Sequence, residues 1–442
     1  MTIRFGTDGV RGKAYEQLSV ADAGLIGLAA ANVFGADAVV IGTDTRESGP
    51  DLVAGLASGF AAGGTTPRYL GVAPTPAVAH VAASDGHIGA MVSASHNPWY
   101  DNGIKLFAPG GRKLTDDEQA ALEAEIARLE AGDAAPPALT VDELELIEDR
   151  VGDYTASLRA TVDPNALAGL KVVIDAANGA GAHIAGPVLA DLGADVTVLS
   201  AEPDGRNIND KCGSTHPEAL AEVVRTTRAD VGIALDGDAD RLVAVDANGE
   251  IVDGDFVIAI CAIDLASRGE LTGNTVVVTV MTNLGFRLAM AERGIEVAET
   301  GVGDRYVLES LEANGWVLGG EQSGHVIFRH LATTGDGLLT GIQLLATIKR
   351  SGRPISALAE EAMVRLPQVL RNVTVATKVP DVAEQMADQI AEAEAQLGDT
   401  GRVLIRASGT EPVIRVMVEA QTENEANTVC EQLVQIARTL FQ

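Results

Sequence analysis

The sequence predicts an α/β protein built as three related α/β domains with mixed sheets, followed by a smaller C-terminal α+β domain. Three observations predict it. A β-branched apolar run, a glycine-rich or polar turn, a stretch with helical periodicity and a second apolar run recur in that order three times. The tail changes to a β-α-β-β-α order. With 442 residues, 46% of them hydrophobic, the chain also has the apolar content for about two to four separate cores.

The first repeat opens at Ala38-Val39-Val40-Ile41 and passes through Asp44, Thr45 and Arg46 into the helical pattern Leu52 to Leu56. The second opens at Val172 to Asp175, turns at Asn178-Gly179 and returns at Ala194 to Val198. A third runs from Val276-Val277-Val278 through Leu284-Gly285-Phe286 to Ile295-Glu296-Val297. Strands alternating with helices of this length predict parallel or mixed sheets with helices on their faces. In the tail, Val373 to Ala376 reads as a strand and 381–396 as a helix. Strands at Arg402 to Ile405 and Val413 to Val418 follow, around a tight turn, and a last helix starts near 423. Acidic, proline-containing stretches near 132–145 and 361–370, and a hairpin turn at Asn248-Gly249, suggest boundaries. The domains are therefore read as 1–148, 149–248, 249–364 and 365–442.

Composition narrows the function. The opening segment lacks a basic stretch followed by an apolar run, and no later stretch reaches the ~18 apolar residues of a membrane span. A soluble, cytoplasmic protein is expected. Cys212, Cys261 and Cys430 are scattered and odd in number, which suits buried thiols in a reducing compartment. A formal charge of −30 repels nucleic acid and anionic lipid, so neither is an expected partner. An anionic small molecule must then be held by a local cluster of basic side chains and backbone amides.

Four segments carry residues suited to chemistry. Ser93-Ala94-Ser95-His96-Asn97-Pro98 follows the apolar run Ile88 to Val92, where exposed amides can hold a phosphate and Ser95 can act as a nucleophile. Asp101-Asn102-Gly103-Ile104-Lys105 comes next and is read as a tight turn that brings a cation close to the serine. The second segment is Asp236-Gly237-Asp238-Ala239-Asp240-Arg241. Its three carboxylates can surround one hard cation, magnesium first, and a calcium-loop reading fails because Arg241 and Ala247 stand where glycine and glutamate are required. In the third, Gly319-Gly320-Glu321-Gln322-Ser323-Gly324-His325 after the strand Trp316-Val317-Leu318, Glu321 and Ser323 can bond vicinal sugar hydroxyls and His325 can move a proton. The fourth, 406–415, holds Arg406, Ser408, Gly409, Thr410 and Arg415 around a turn that can enclose a phosphate. A P-loop, a zincin motif and a dinucleotide fingerprint are all missing, which disfavours nucleotide-dependent chemistry.

In series, and with the opening Phe5-Gly6-Thr7-Asp8-Gly9-Val10-Arg11-Gly12, these segments resemble the α-D-phosphohexomutases over nearly the whole chain. That family carries a serine loop, a metal loop, a sugar loop and a phosphate loop, one per domain, in this order. The resemblance implies that Ser95 is the phosphorylated serine and that Ser95, Asp236, Asp238 and Asp240 hold Mg2+, with Arg241 beside them. It implies substrate contacts from Arg11, His96, Glu321, Gln322, Ser323, Arg406, Ser408, Gly409, Thr410 and Arg415, and catalytic roles for Lys105, His325 and Arg241. Gln322, Asp304 and the segment 212–218 resemble the bacterial glucosamine-phosphate branch, while the glucose- and mannose-phosphate branch is the alternative. Gly301 departs from the lysine that many members carry at that position. The implied reaction interconverts glucosamine 6-phosphate and glucosamine 1-phosphate through an enzyme-bound 1,6-bisphosphate, feeding UDP-N-acetylglucosamine synthesis, with a sugar 1,6-bisphosphate as activator. The expected partner is a hexosamine phosphate, and the expected state a monomer or homodimer. A phosphatase using the same groups and a non-catalytic sugar-phosphate-binding protein are the rival readings.

Overall fold

The computed structural model describes residues 3–6, 8–132, 139–408 and 411–441. It divides into two compact units, Met1–Met281 with Ile295–Glu360, and Thr282–Gly294 with Glu361–Gln442.

In the first unit, three sheets share one four-strand core. Its order is Asp101–Ala108, Ile88–Val92, Ala38–Thr43, Thr66–Val72 in the first sheet. The second has Leu242–Asp246, Val231–Leu235, Lys171–Asp175, Asp195–Leu199, and the third Val326–Phe328, Leu318–Gly320, Thr275–Thr279, Glu296–Thr300. In each, the first strand is antiparallel to its neighbour and the other three are mutually parallel. The three repeats in the sequence are thus one sheet motif used three times. Ala38–Thr43, Ile88–Val92, Val231–Leu235 and Thr275–Thr279 are buried at every position, which is why they read as unbroken apolar runs and not as alternating ones. Val10–Lys13 extends the first sheet along Asp101–Ala108. Ile251–Val252 folds back on Leu242–Asp246 through the Asn248-Gly249 turn, where Gly249 takes the left-handed φ of 85°.

This shared motif positions the site. The serine segment, the triple-aspartate segment and the Glu321–His325 segment each leave the C-terminal end of a parallel strand and enter its antiparallel neighbour. Ligands of open α/β sheets gather at such strand ends.

The second unit carries an antiparallel sheet ordered Gln368–Thr374, Val413–Glu419, Arg402–Ala407. The helix Glu423–Phe441 packs on it through Val429, Leu433 and Val434, and the sheet contributes Val373, Ile414, Val416 and Val418 to the same core. Thr282–Gly294 joins this unit through Glu419, whose buried carboxylate accepts from the Asn283 amide at 3.1 Å, the Leu284 backbone at 3.1 Å and Arg402 Nε at 2.8 Å.

Local readings need correction at several points. Asp101-Asn102-Gly103 is the start of a strand, and the chain turns earlier, through Asn97 N to Ala94 O and Asp101 N to Pro98 O. Gly103 serves close packing, since a Cβ there would lie 2.6 Å from Ser93 O and 2.7 Å from Val10 O. The strand read at 373–376 is Gln368–Thr374, because its exposed Leu370, Arg371 and Asn372 hide the alternation and extend it back into the stretch read as a boundary. The helix at 381–396 is two, Val382–Gln385 and Ala387–Leu397. The strand before Glu321 is Leu318–Gly320, so both glycines are in it; a Cβ at Gly319 would meet Val277 O at 2.7 Å. Within the stretch near 132–145, residues 133–138 lie outside the described residues. All three cysteines are buried free thiols. Among the described residues no helix is long and apolar enough to cross a membrane.

Candidate active site

Ser95 sits just past the strand Ile88–Val92, fully buried, with a left-handed φ of 54°. Such backbone costs a non-glycine residue about 1–3 kcal/mol and persists only where the surroundings impose it. Its hydroxyl donates to Asp236 Oδ2 at 2.5 Å and lies 3.2 Å from His96 Nδ1. Burial, with Arg241 and Arg11 nearby, pushes His96 down to about 4, so this imidazole is neutral near pH 7.

Asp236, Asp238 and Asp240 are buried, and each offers an oxygen within 4.8 Å of the other two. The loop can come so close to the serine because residue 237 is glycine: a Cβ there would stand 2.6 Å from Ser95 O. Burial raises Asp236 well above the usual carboxylate range, and the charges of Asp240 and Asp238 push the same way. Burial also opposes ionisation of Asp240, yet Lys105, His325 and Arg241 outweigh it and hold that carboxyl low. The donor set fits a hard divalent cation. Asp238 Oδ1 and Asp240 Oδ1 are buried with no hydrogen-bond partner, which a cation would remedy.

Lys105 lies among the carboxylates. Its Nζ is 2.7 Å from Asp238, 2.7 Å from Asp240 and 3.0 Å from Asp8. Burial alone would discharge this ammonium, but the three acids more than offset it. His325, also buried, stands between Asp240, 3.6 Å from Nδ1, and Asp304, 3.4 Å from Nε2. Burial lowers its basicity less than these two acids raise it, so it holds a proton to higher pH than free histidine. Arg241 donates its backbone N–H to Asp236 Oδ1 at 3.1 Å and keeps its guanidinium near Asp240. Arg11 is paired with Asp8 at 2.6 Å.

Glu321 accepts from Gly303 N at 3.2 Å and is raised by burial. Gln322 is half-buried beside it and Ser323 is exposed. The first unit therefore brings together Ser95, His96, Lys105, the three aspartates, Arg241, Glu321 and His325, with Arg11 reaching the group through Asp8. In the second unit, Arg406 and Arg415 stand opposite each other in register and are both half-buried. Burial and the facing Arg415 charge lower Arg406, a like-charge pairing that a bound anion would relieve. Ser408 is buried at the turn, donating its N–H to Val413 O at 2.8 Å, while Gly409 and Thr410 lie outside the described residues.

Sequence reasoning missed three site residues. Thr75 donates to Asp238 Oδ2 at 2.6 Å, Asp8 joins Lys105 to Lys113, and Lys113 bridges Asp8 at 2.5 Å and Asp304 at 2.8 Å. Asp8 stands in the opening motif beside Arg11 and was within reach of that reading; Thr75 and Lys113 carry no local signal.

The same four-part organisation appears in comparisons with known proteins. Models of phosphoglucomutase/phosphomannomutase alpha/beta/alpha domains I, II and III match residues 2–133, 152–249 and 253–366, and the C-terminal domain model matches 370–436. The chain belongs to the phosphoglucomutase/phosphomannomutase family. Among relatives, it is 52% identical to the phosphoglucosamine mutase of Frankia casuarinae over 98% of both chains. It is 48% identical to that of Thermobifida fusca, over 99% of this chain and 98% of the other. The fold is shared with a phosphoglucomutase/phosphomannomutase family protein from Burkholderia thailandensis, with a TM-score of 0.80, 24% identity, and 98% and 97% of the two chains covered. It is also shared with Aspergillus fumigatus N-acetylphosphoglucosamine mutase, solved with GlcNAc-6P and magnesium, with a TM-score of 0.68, 19% identity, and 100% and 96% covered.

Proposed function

We propose that this chain is a mutase that interconverts glucosamine 6-phosphate and glucosamine 1-phosphate through a phosphorylated Ser95. The observation that carries this reading is the buried Ser95 hydroxyl 2.5 Å from Asp236, inside a group of three carboxylates that Lys105 and His325 complete. The choice of glucosamine is supported by relatives 47–52% identical over nearly the whole chain that bear the name phosphoglucosamine mutase.

In this mechanism phosphoserine 95 gives its phosphoryl group to the 1-hydroxyl of glucosamine 6-phosphate. The P–O bond to the serine breaks, a P–O bond to the sugar forms, and the sugar proton passes to a neighbouring base. The resulting 1,6-bisphosphate turns over, and its 6-phosphoryl group returns to Ser95, leaving glucosamine 1-phosphate. Lys105 and His325 serve proton transfer or charge stabilisation near the reacting hydroxyl, and His96, Arg241 and Arg11 line the transferring group. Ser95, Asp236, Asp238 and Asp240 would hold a magnesium ion, which when bound neutralises charge on the transferring phosphoryl group. Glu321, Gln322 and Ser323 orient the sugar, and Arg406, Ser408, Gly409, Thr410 and Arg415 take the phosphate that is not reacting. The four loops belong to domains 1–148, 149–248, 249–364 and 365–442, and a sugar 1,6-bisphosphate restores enzyme that has lost its phosphate. The protein acts as a monomer or homodimer in the cytoplasm.

A coupled assay offering the 6-phosphates of glucosamine, glucose and mannose, each with its 1,6-bisphosphate, tests the reading. A buried polar partner left unsatisfied by the wrong sugar costs about 1–3 kcal/mol, so glucosamine should lead in kcat/KM by roughly ten- to a hundredfold. Equal or higher efficiency on glucose 6-phosphate would overturn the choice of sugar, and release of free phosphate without isomerisation would make the protein a phosphatase.

A further inference from the structure

Arg46 is a fully buried arginine that the mechanism leaves without a role. A guanidinium has five N–H donors, and all five of these are engaged. Nε donates to Asp44 Oδ2 at 2.9 Å. Nη1 donates to Pro98 O and to Asp101 O at 2.9 Å, and Nη2 to Ser95 O at 3.0 Å and Asn97 O at 2.8 Å. One side chain thus holds four carbonyls of the loop that carries the serine. The other end of the Ser95 peptide unit is tied to the same group: Ser95 N donates to Ser93 Oγ at 2.9 Å, and Ser93 Oγ donates to Asp44 Oδ2 at 2.5 Å.

A second donor, from the second repeat, reaches two of the same carbonyls. Asn209 Nδ2 lies 2.9 Å from Ser95 O and 3.1 Å from Asn97 O. Asn209 has a left-handed φ of 58°, which asparagine tolerates, and its own N–H donates to Ala177 O at 2.9 Å. The chain that follows Asn209 is tied to the second sheet, where Gly213 N donates to Asp175 Oδ2 at 2.9 Å and Ser214 N to Leu235 O at 2.9 Å.

We propose that Arg46 and Asn209 are positioning residues that clamp the Ser95 loop between the first and second sheets, fixing the serine oxygen for phosphoryl transfer in both directions. This rests on the phosphoserine reading above. With four donors spent on the loop and the fifth on Asp44, Arg46 has none left for substrate, so its effect must pass through Ser95. A relay serine must give and receive a phosphoryl group from one position, and a displacement of about 1 Å costs on the order of a hundredfold in rate. Lysine cannot replace the arginine, because a point ammonium with three donors does not span four carbonyls.

Arg46→Lys and Asn209→Ala, assayed as full-length enzyme with glucosamine 6-phosphate and its 1,6-bisphosphate, should lose roughly ten- to a hundredfold in kcat while KM stays near the wild-type value. Asn209→Asp, the same shape with an acceptor facing two carbonyls, should be slower than Asn209→Ala. Folded variants with wild-type kcat, or losses confined to KM, would overturn the clamp. If Arg46→Lys does not fold, the two Asn209 variants decide alone, since the Ser95 carbonyl keeps its arginine in both. A wild-type enzyme with neither mutase turnover nor phosphate on Ser95 would sink the phosphoserine reading; an active wild type with fully active variants would sink the clamp only.

Discussion

Lys105→Met takes away an ammonium held 2.7, 2.7 and 3.0 Å from the carboxylates of Asp238, Asp240 and Asp8, in a site where the lysine and both metal-loop acids are buried. Removing one partner of a buried ion pair costs about 3–5 kcal/mol, because the remaining charges keep their desolvation penalty. In EDTA the variant should therefore be less stable than wild type by about that amount. Magnesium changes the comparison. A ligand at a hundredfold its Kd stabilises by about 2.7 kcal/mol, and the ion and the Lys105 ammonium are like charges that compete for the same acids. Without the lysine the ion should bind more tightly, each tenfold gain narrowing the gap by about 1.4 kcal/mol. Urea denaturation at graded magnesium, with calorimetry for Kd, reads both quantities. Turnover should still be lost, because the positive charge beside the reacting group is gone. No destabilisation in EDTA, or a gap that widens as magnesium is added, would refute the electrostatic account of the site.

Asp336 caps the helix Gly337–Ser351, accepting from Leu339 N and from the buried Tyr154 hydroxyl at 2.9 Å each, and burial raises it from 3.8 to about 6. A raised carboxyl binds protons more tightly in the folded chain, so its contribution to stability falls as pH rises through that window and stays lost above it. Asp336→Asn keeps the acceptor and removes the titration, so between pH 4 and 7 wild type should lose roughly 2–2.5 kcal/mol relative to the variant; parallel pH profiles in denaturant would contradict this. In the second unit, Arg415→Met relieves a like-charge pair, and under the proposed function it also removes a charge-assisted hydrogen bond of about 1.5–3 kcal/mol to the substrate phosphate. KM for glucosamine 6-phosphate should rise roughly ten- to a hundredfold; an unchanged KM would free this turn of its phosphate role.

The serine, metal and sugar loops were legible because each follows a strand buried along its length and is dense in residues that a core does not admit. The metal loop was clearest, since three acids at alternate positions beside an apolar strand repel one another unless a cation sits among them. What the sequence hides are partners brought in from far along the chain. Nothing near Thr75 points to Asp238, and nothing near Arg46 announces that its guanidinium folds around a loop some fifty residues away. Composition misled at Asp101-Asn102-Gly103, where turn-forming residues begin a strand because the sheet needs a glycine for close approach. Arg371 and Asn372 misled in the opposite sense, as exposed positions of an edge strand.

The central claim is that phosphate passes through Ser95, and one chase experiment tests it directly. Enzyme labelled with radioactive phosphate is mixed with unlabelled glucosamine 6-phosphate, and the label is followed by peptide mapping and sugar-phosphate separation. The account predicts label on the Ser95 peptide at the start, then in the 1,6-bisphosphate, then in glucosamine 1-phosphate, with none incorporated by Ser95→Ala. Label that stays on the protein while product accumulates, or a Ser95→Ala enzyme that turns over at the wild-type rate, would contradict it.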